Sequence, residues 1–307
     1  MKHDEKEDWV NAGKIAASIF KKVAPLIKPG QKLLAICELI ENEIKKAGGK
    51  PAFPPNISVN NIAAHYTCPP RDASKIPTTA LVKVDIGVSI NGAIADTAQT
   101  FLIGGNRKLY RIVKAAQRTL NEAIELIRAG ITVREISEKI WLTSHEMGFG
   151  VLTDLGGHEI RRGILHAGLF IPNSPSTVRK NRKISAGAIL AIEPFLVLSY
   201  NDSETIPVQK AKYIFSLARK IDNTKDDFLK MLYEKYGLLP FALRWIMGSS
   251  AISKGKVKKM QTVLDTYEKR GLIHSYPVLV DKNGYWVAQF EHTLRVKKSS
   301  VEVLTIL

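Results

Sequence analysis

The first fifty residues repeat apolar side chains at helical spacing. One stretch runs from Asp8 to Ile27 and stops at Lys28-Pro29-Gly30, and a second runs from Lys32 to Ala47 before Gly48-Gly49. This spacing, bounded by these breakers, predicts two amphipathic helices. Residues 50–79 contain six prolines, so we expect a loop-rich segment there.

Residues 80–103 carry the pattern of a β-hairpin. Asn91-Gly92 separates two apolar-rich runs and is typical of a two-residue type I′ turn. With that turn as the loop, Gly87 faces Asp96, and Asp85 lies on the same face because side chains alternate along a strand. The two carboxylates are then diagonal neighbours, with Cα atoms roughly 7–8 Å apart. We expect the glycine to leave open space between them.

The apolar neighbours of the two aspartates, among them Val84, Ile86 and Ile94, predict that the shared face is buried. Like charges on a buried face repel strongly unless a cation lies between them. A pair of divalent metal ions would meet that need. A solvated outer face of an edge hairpin, which needs no ligand, is the alternative from this segment alone.

Later elements mix helices with strands. Helices are predicted at Leu109–Arg128 and Val133–Glu146, the second opened by a capping box of Thr132 and Glu135. We expect short strands and loops over 151–200, short basic helices over 215–275, and strands near 277–280 and 285–296. Together these elements predict an α+β fold in which helices pack on one side of an antiparallel sheet.

Composition limits the class of protein. The chain has 307 residues, of which 45% are hydrophobic and 24% charged, as in ordinary globular enzymes. No apolar stretch is long enough for a membrane span, and the charged start lacks the apolar region of a secretory signal. The two cysteines, Cys37 and Cys68, form no disulfide framework and suit a reducing cytoplasm. We therefore expect a cytoplasmic protein without membrane contact.

The net charge of +16 would attract polyanions such as nucleic acid or the ribosome. A general surface bias explains the charge equally well. One cluster stands out at the start of a predicted helix and consists of Lys254, Lys256, Lys258 and Lys259. Positive charge there opposes the helix dipole, so an external anion would be stabilising. A solvated helix face is the alternative.

Further oxygen and nitrogen donors stand in short motifs. Gly156-Gly157-His158, Ala191-Ile192-Glu193-Pro194 and Gln289-Phe290-Glu291 join the two aspartates to give five donors. A set without thiolates suits Co, Mn, Fe or Zn in a two-metal hydrolase site better than a structural zinc. The motifs that carry these donors lie before residue 215 and after residue 275. That gap predicts a catalytic domain formed by residues 1–214 and 276–307, with a helical insertion at 215–275.

In these motifs the chain resembles the methionine aminopeptidases, and within them the type II enzymes of archaea and eukaryotes. All five metal-ligand positions match in order and spacing, and the resemblance extends to Phe53, the segment around His65, residues 239–245 and Tyr276-Pro277. It implies the pita-bread (creatinase/aminopeptidase-like) fold, with a pseudo-twofold antiparallel sheet around the metals. It also implies that the insertion resembles a winged helix.

The resemblance assigns a role to each donor. Asp85 would chelate the second metal ion, Asp96 and Glu291 would bridge the two ions, and His158 and Glu193 would complete the shell of the first. Glu193 would also shuttle the proton of the attacking hydroxide that bridges the two metals.

The resemblance likewise implies a substrate site. His65 and His166 would contact the substrate and polarise or hold the scissile carbonyl. The methionine pocket would be formed by these histidines together with Phe53, Leu165, Phe195 and Tyr276. We also expect Gln289 to support the metal ligands and His292 to lie behind them.

The implied function is removal of the initiator methionine from nascent chains whose second residue is small. We expect a monomer that acts on nascent polypeptide N-termini and associates weakly with ribosomes or RNA through the insertion. Two rivals share the fold. An X-Pro peptidase usually carries a long N-terminal domain, whereas 84 residues precede Asp85 here, and non-enzymatic ribosome- or RNA-binding relatives have lost the metal ligands.

Three positions depart from the family pattern. Gly163 replaces a tyrosine between the two histidine motifs, Gly156 replaces a polar residue, and Cys68 stands where a proline usually follows the threonine. None of them is a metal-ligand position. We expect these changes to alter the pocket rim and the response to inhibitors.

Overall fold

The computed structural model describes residues 5–221, 224–248 and 253–306. Its α-helices are α1 (Glu5–Val23), α2 (Leu33–Lys46), α3 (Arg107–Leu126), α4 (Val133–Glu146), α5 (Asp227–Tyr236), α6 (Leu243–Met247) and α7 (Lys254–Lys269). Its strands are β1 (Lys50–Val59), β2 (Ile62–Ala64), β3 (Ala80–Ile90), β4 (Ala93–Ile103), β5 (Gly150–Val151), β6 (Gly156–Ile160), β7 (Phe170–Pro172), β8 (Ile189–Ile192), β9 (Phe195–Val197), β10 (Thr205–Leu217), β11 (Phe241–Ala242), β12 (Ile273–Asp281), β13 (Val287–Gln289), β14 (His292–Val296) and β15 (Val301–Val303).

Two halves repeat the same arrangement of a helix pair against an antiparallel sheet. In the first, α1 and α2 pack on the sheet β1-β3-β4; in the second, α3 and α4 pack on the sheet β15-β14-β8-β6-β7. The halves meet where Ala98 of β4 forms a bridge with Glu291, just before β14. This is the α+β arrangement with a pseudo-twofold antiparallel sheet that the sequence predicts.

A separate apolar cluster holds α5, α6 and α7 against β10 and β12. Its buried members include Phe215, Leu232, Phe241 and Leu264. The two strands pair with each other from Thr205–Asp281 to Leu217–Ile273, so each continues across one of the boundaries predicted for the insertion. Both predicted boundaries fall inside strands, and the division into a catalytic domain in two parts with an insertion stays a prediction. Within the described ranges, no helix combines the length and apolar content needed to cross a membrane.

Three predictions about local structure were wrong. The proline-rich segment begins with a ten-residue strand, β1, which tolerates its prolines because it lies at the edge of its sheet and bulges on both sides of Phe53. Strand β10 was missed because its outer half is exposed and so lacks the alternation of buried and exposed positions that marks a strand. The strand predicted at 285–296 is broken at Phe290-Glu291, and the break separates β13 from β14.

Candidate metal centre

The hairpin places its two aspartates as predicted. Gly87 pairs with Asp96 across β3 and β4, and Asn91 and Gly92 adopt φ angles of 48° and 85°, as a type I′ turn requires. Both strands are buried along most of their length, so the solvated edge hairpin is excluded.

The space over Gly87 is not open, contrary to prediction. A Cβ atom built there would lie 2.3 Å from Cε1 of Phe53. Phe53 and Gly87 are paired across β1 and β3, so the ring lies over the glycine and beside both aspartates. The glycine is therefore needed to seat the aromatic wall of the cavity.

The second half of the molecule supplies the other three donors from neighbouring strands. His158 lies on β6, Glu193 follows β8, and Glu291 lies between β13 and β14. Because β6 pairs with β8 and β8 pairs with β14, the three side chains converge. His158 Nε2 is 3.5 Å from Asp96 Oδ2 and 3.7 Å from Glu193 Oε1.

All five predicted donors line one cavity of about 240 Å³. Ligand atoms of Asp96, His158 and Glu291 lie within 4.8 Å of one another, close enough to share a metal ion. Asp85 and Glu193 line the same cavity.

Buried hydroxyl and amide groups fix the positions of these donors. Thr293 Oγ1 accepts a hydrogen bond from Asp96 N at 2.8 Å and donates to Asp96 O at 2.7 Å. Gln289 Nε2 lies 3.3 Å from Glu193 Oε2 and 3.5 Å from Glu291 Oε2, which agrees with its predicted supporting role. His292 is largely buried and contacts Thr305 Oγ1 at 2.8 Å, behind the ligands as expected.

The electrostatics of the site disfavour four ionised carboxylates without a cation. Burial raises the pKa of Asp96 to about 7. Burial, followed by repulsion from neighbouring carboxylates, raises the pKa values of Asp85, Glu193 and Glu291 well above their usual range. Burial also lowers the pKa of His158 to about 4, so its ring is a neutral nitrogen ligand at pH 7.

Several polar atoms of the site lack a partner. Asp85 Oδ1, Glu291 Oε1 and His158 Nδ1 are buried without a hydrogen bond, and no lysine or arginine in the described part of the chain forms a salt bridge with the four carboxylates. Four carboxylates and one neutral imidazole form a set that divalent cations satisfy. The residues present therefore fit a divalent metal centre.

His65 and His166 lie in the same cavity but differ in what they can do. His65 adopts a left-handed φ of 65°, a conformation that is uncommon for residues other than glycine. Its Nδ1 is 3.2 Å from the carbonyl oxygen of Pro277, and burial lowers its pKa to about 4. In the neutral ring Nδ1 therefore carries the proton, and Nε2 is an acceptor.

His166 lies at the cavity mouth, with its ring 4.3 Å from the ring of His158 and inclined at 69° to it. Tyr276 contacts His65 edge to face at 5.6 Å. The remaining predicted pocket residues are buried in the cavity wall: Phe53, Leu165 and Phe195. Every residue predicted for the substrate site thus lines the same cavity as the metal donors.

Two glycines that depart from the family pattern have structural reasons. A Cβ atom on Gly156 would lie 2.2 Å from the carbonyl oxygen of Ile171, so β6 and β7 approach too closely for a side chain. Gly163 adopts a φ of 73°, and its N–H donates to Gly92 O at the hairpin tip. The third departure, Cys68, is a buried free thiol whose Sγ lies 3.6 Å from that of Cys37.

Residues that sequence reasoning missed include Asn56, which lines the cavity, and Thr293. A lone carboxamide in the apolar run from Phe53 to Ile57 is the only sequence signal for Asn56. Thr293 gave no signal, because its role depends on which strand faces it.

The chain is similar to known peptidases over nearly its whole length. The model of metallopeptidase family M24 matches residues 8–298. A methionine aminopeptidase of Thermococcus onnurineus is 39% identical over 315 residues, covering 98% of this chain and 100% of the relative.

Two solved structures share the fold. The methionine aminopeptidase of Thermotoga maritima superposes with a TM-score of 0.70 at 23% identity, covering 100% of this chain and 98% of the other. A thermophilic Arx1 gives 0.81 at 15% identity, covering 100% and 92%. These likenesses confirm the predicted pita-bread fold, and the sequence match over almost the entire chain establishes that the protein belongs to metallopeptidase family M24.

Proposed function

We propose that this protein is a methionine aminopeptidase that removes the N-terminal methionine of nascent proteins whose second residue is small. The observation that carries the proposal is the convergence of five candidate metal donors, two histidines and three buried apolar side chains on one cavity. The relatives that match nearly its whole length are named methionine aminopeptidases. We further propose that it works as a type II enzyme, as a monomer in the cytoplasm.

The cavity suits one terminal residue. Its volume of about 240 Å³ accommodates a methionine side chain and the adjoining peptide bond. Phe53, Leu165 and Phe195 offer aromatic and aliphatic surface, with which a thioether makes favourable contacts. A short pocket beside the donors favours cleavage after the first residue.

The carboxylates of Asp85, Asp96, Glu193 and Glu291 and the imidazole of His158 would hold two divalent cations. Such cations would polarise the scissile carbonyl and lower the pKa of water enough for attack near neutral pH.

The protein's own groups supply proton transfer and orientation. Glu193, whose Oε2 lies 3.3 Å from Gln289 Nε2, would take a proton from the attacking water and pass it to the leaving amine. His65 Nε2 would accept a hydrogen bond from a substrate N–H. His166 would donate to the carbonyl oxygen as negative charge develops on it.

A peptide panel tests this proposal. Chelated protein resupplied with Co²⁺ or Mn²⁺ is expected to release methionine from Met-Ala-Ser and to leave Met-Lys-Ser largely intact. Preference for Met-Pro or Ala-Pro dipeptides would instead indicate the X-Pro peptidase of the same fold. Absence of methionine release with Co, Mn, Fe and Zn alike would overturn the assignment.

We also propose a weak association with ribosomes or RNA through α7. Lys254, Lys256, Lys258 and Lys259 are all exposed in its first two turns, and the first turn holds no acidic residue. Their positive charge lies at the positive end of the helix dipole, which is unfavourable. A bound phosphate would offset this charge. Each phosphate contacted should steepen the dependence of log affinity on log salt by roughly 0.7–0.9.

Replacing these four lysines with glutamine should weaken co-sedimentation with ribosomes in low salt and flatten the salt slope. Cleavage of Met-Ala-Ser should not change. The matched control replaces four exposed lysines of the first helix pair and its connection: Lys14, Lys21, Lys28 and Lys45. Equal losses of co-sedimentation in both quadruple variants would show that binding depends on net charge alone. No loss in either variant would overturn the proposal.

A further inference from the structure

Asn56 holds an unpaired polar atom in the wall of the candidate active cavity. The residue is 5% exposed and lines the cavity. Its Nδ2 donates to the carbonyl oxygen of Pro54 at 3.2 Å, which fixes the orientation of the carboxamide because a carbonyl oxygen only accepts. Oδ1 therefore points elsewhere, and it has no hydrogen-bond partner.

The neighbour of this oxygen is Asp85. The two residues are paired across β1 and β3, so their side chains share a face with Cβ atoms roughly 4.5–5.5 Å apart. Oδ1 of Asp85 is likewise buried without a partner. Asp85 is a candidate metal ligand, so a cation would satisfy its oxygen, whereas the carboxamide oxygen of Asn56 still needs a donor from outside the chain.

A substrate with a free N-terminus brings such a donor. Its α-amino group is the one polar group that every aminopeptidase substrate shares and that a blocked peptide lacks. We propose that Asn56 Oδ1 accepts a hydrogen bond from the α-amino group of the substrate. Asn56 is then a determinant of specificity for unblocked N-termini; this inference rests on the proposed function.

The test compares two ligands in holoenzyme variants. L-Methioninol carries the amino group, and 4-(methylthio)butanol lacks it; dissociation constants come from competition with Met-Ala-Ser. Asn56→Leu is similar in size but has no acceptor. We expect it to reduce the preference for the amino ligand roughly tenfold or more, as loss of a hydrogen bond to a charged group does, and to leave the affinity for the des-amino ligand unchanged. Asn56→Asp, which keeps an acceptor, should retain the preference.

Asn173 provides the matched control. It is fully buried, its Nδ2 also donates to a backbone carbonyl, and its Oδ1 is also unpaired, but it does not line the cavity. Asn173→Leu should leave the ratio of the two affinities unchanged.

Equal weakening of both ligands by Asn56→Leu would show a role in shape alone and overturn the inference. Loss of bound metal in Asn56→Leu would make the side chain a metal ligand and also overturn it. If Asn56→Leu does not fold, Asn56→Ala, which also lacks an acceptor, takes its place with the same expected loss of preference. Failure of the proposed function would look different, because wild type would then release no methionine.

Discussion

Among single residues, Asp96 shows most clearly how the candidate metal site affects the stability of the metal-free protein. Its pKa is about 7 in the folded protein, against about 3.9 in an unfolded chain. Between these values the folded state binds more protons than the unfolded state, so the carboxyl lowers the stability of the metal-free protein as pH rises from about 4 to about 7. Above pH 7 this contribution is constant.

Asp96→Asn should therefore be more stable than wild type when both are free of metal. At pH 7 we expect a difference of a few kcal/mol in the free energy of unfolding, which closes toward pH 4. Urea unfolding across this range measures it. Added Mn²⁺ should stabilise wild type more than the variant. Equal pH dependence of the two proteins would show that Asp96 is ionised in the fold without cost.

Gly87 tests the aromatic wall. In Gly87→Ala the new methyl group would meet the ring of Phe53, so the ring must move into the cavity. We expect a several-fold rise in KM for Met-Ala-Ser with unchanged metal content, measured by steady-state kinetics. The double variant Gly87→Ala/Phe53→Leu has room for the methyl group and should recover part of the loss. An unchanged KM in the single variant would mean that the ring does not contact the substrate.

At the scale of elements, the contact between β4 and β14 keeps donors from the two halves in register. Thr293→Val would leave the N–H and C=O groups of Asp96 unpaired inside the protein. Each unpaired group costs about 1–3 kcal/mol, so we expect a loss of roughly 2–5 kcal/mol in the free energy of unfolding and weaker metal binding. Thr262→Val is the control, because its hydroxyl only bonds back to Lys258 O within exposed α7. Similar losses for both variants would contradict this role.

The elements also show what could be read from the sequence. Helix α4 matches its prediction residue for residue, because its capping box and apolar spacing are local signals. The hairpin register followed from Asn91-Gly92 for the same reason. Strand β1 could not be found, since its prolines are acceptable only at a sheet edge. Asn56 and Thr293 were missed because their roles depend on β3 and β4, which are distant in sequence.

For the whole molecule, the candidate metal centre lies at the seam between two similar halves. Asp85 and Asp96 come from the first half, and His158, Glu193 and Glu291 come from the second. The motifs predicted all five candidate donors, but the two sets meet through the bridge between Ala98 and Glu291 and the hydrogen bonds of Thr293 to Asp96. Bound cations would therefore bridge the halves as well as serve the chemistry.

Methionine release measured against bound metal tests the central claim most directly. Metal-free protein is titrated with Mn²⁺ or Co²⁺, and metal per chain and methionine released from Met-Ala-Ser are determined in the same samples. We predict that release rises from near zero as up to two ions bind per chain, and that Asp96→Asn stays inactive throughout. Equal release without metal, or none from protein that holds two ions, would contradict the account.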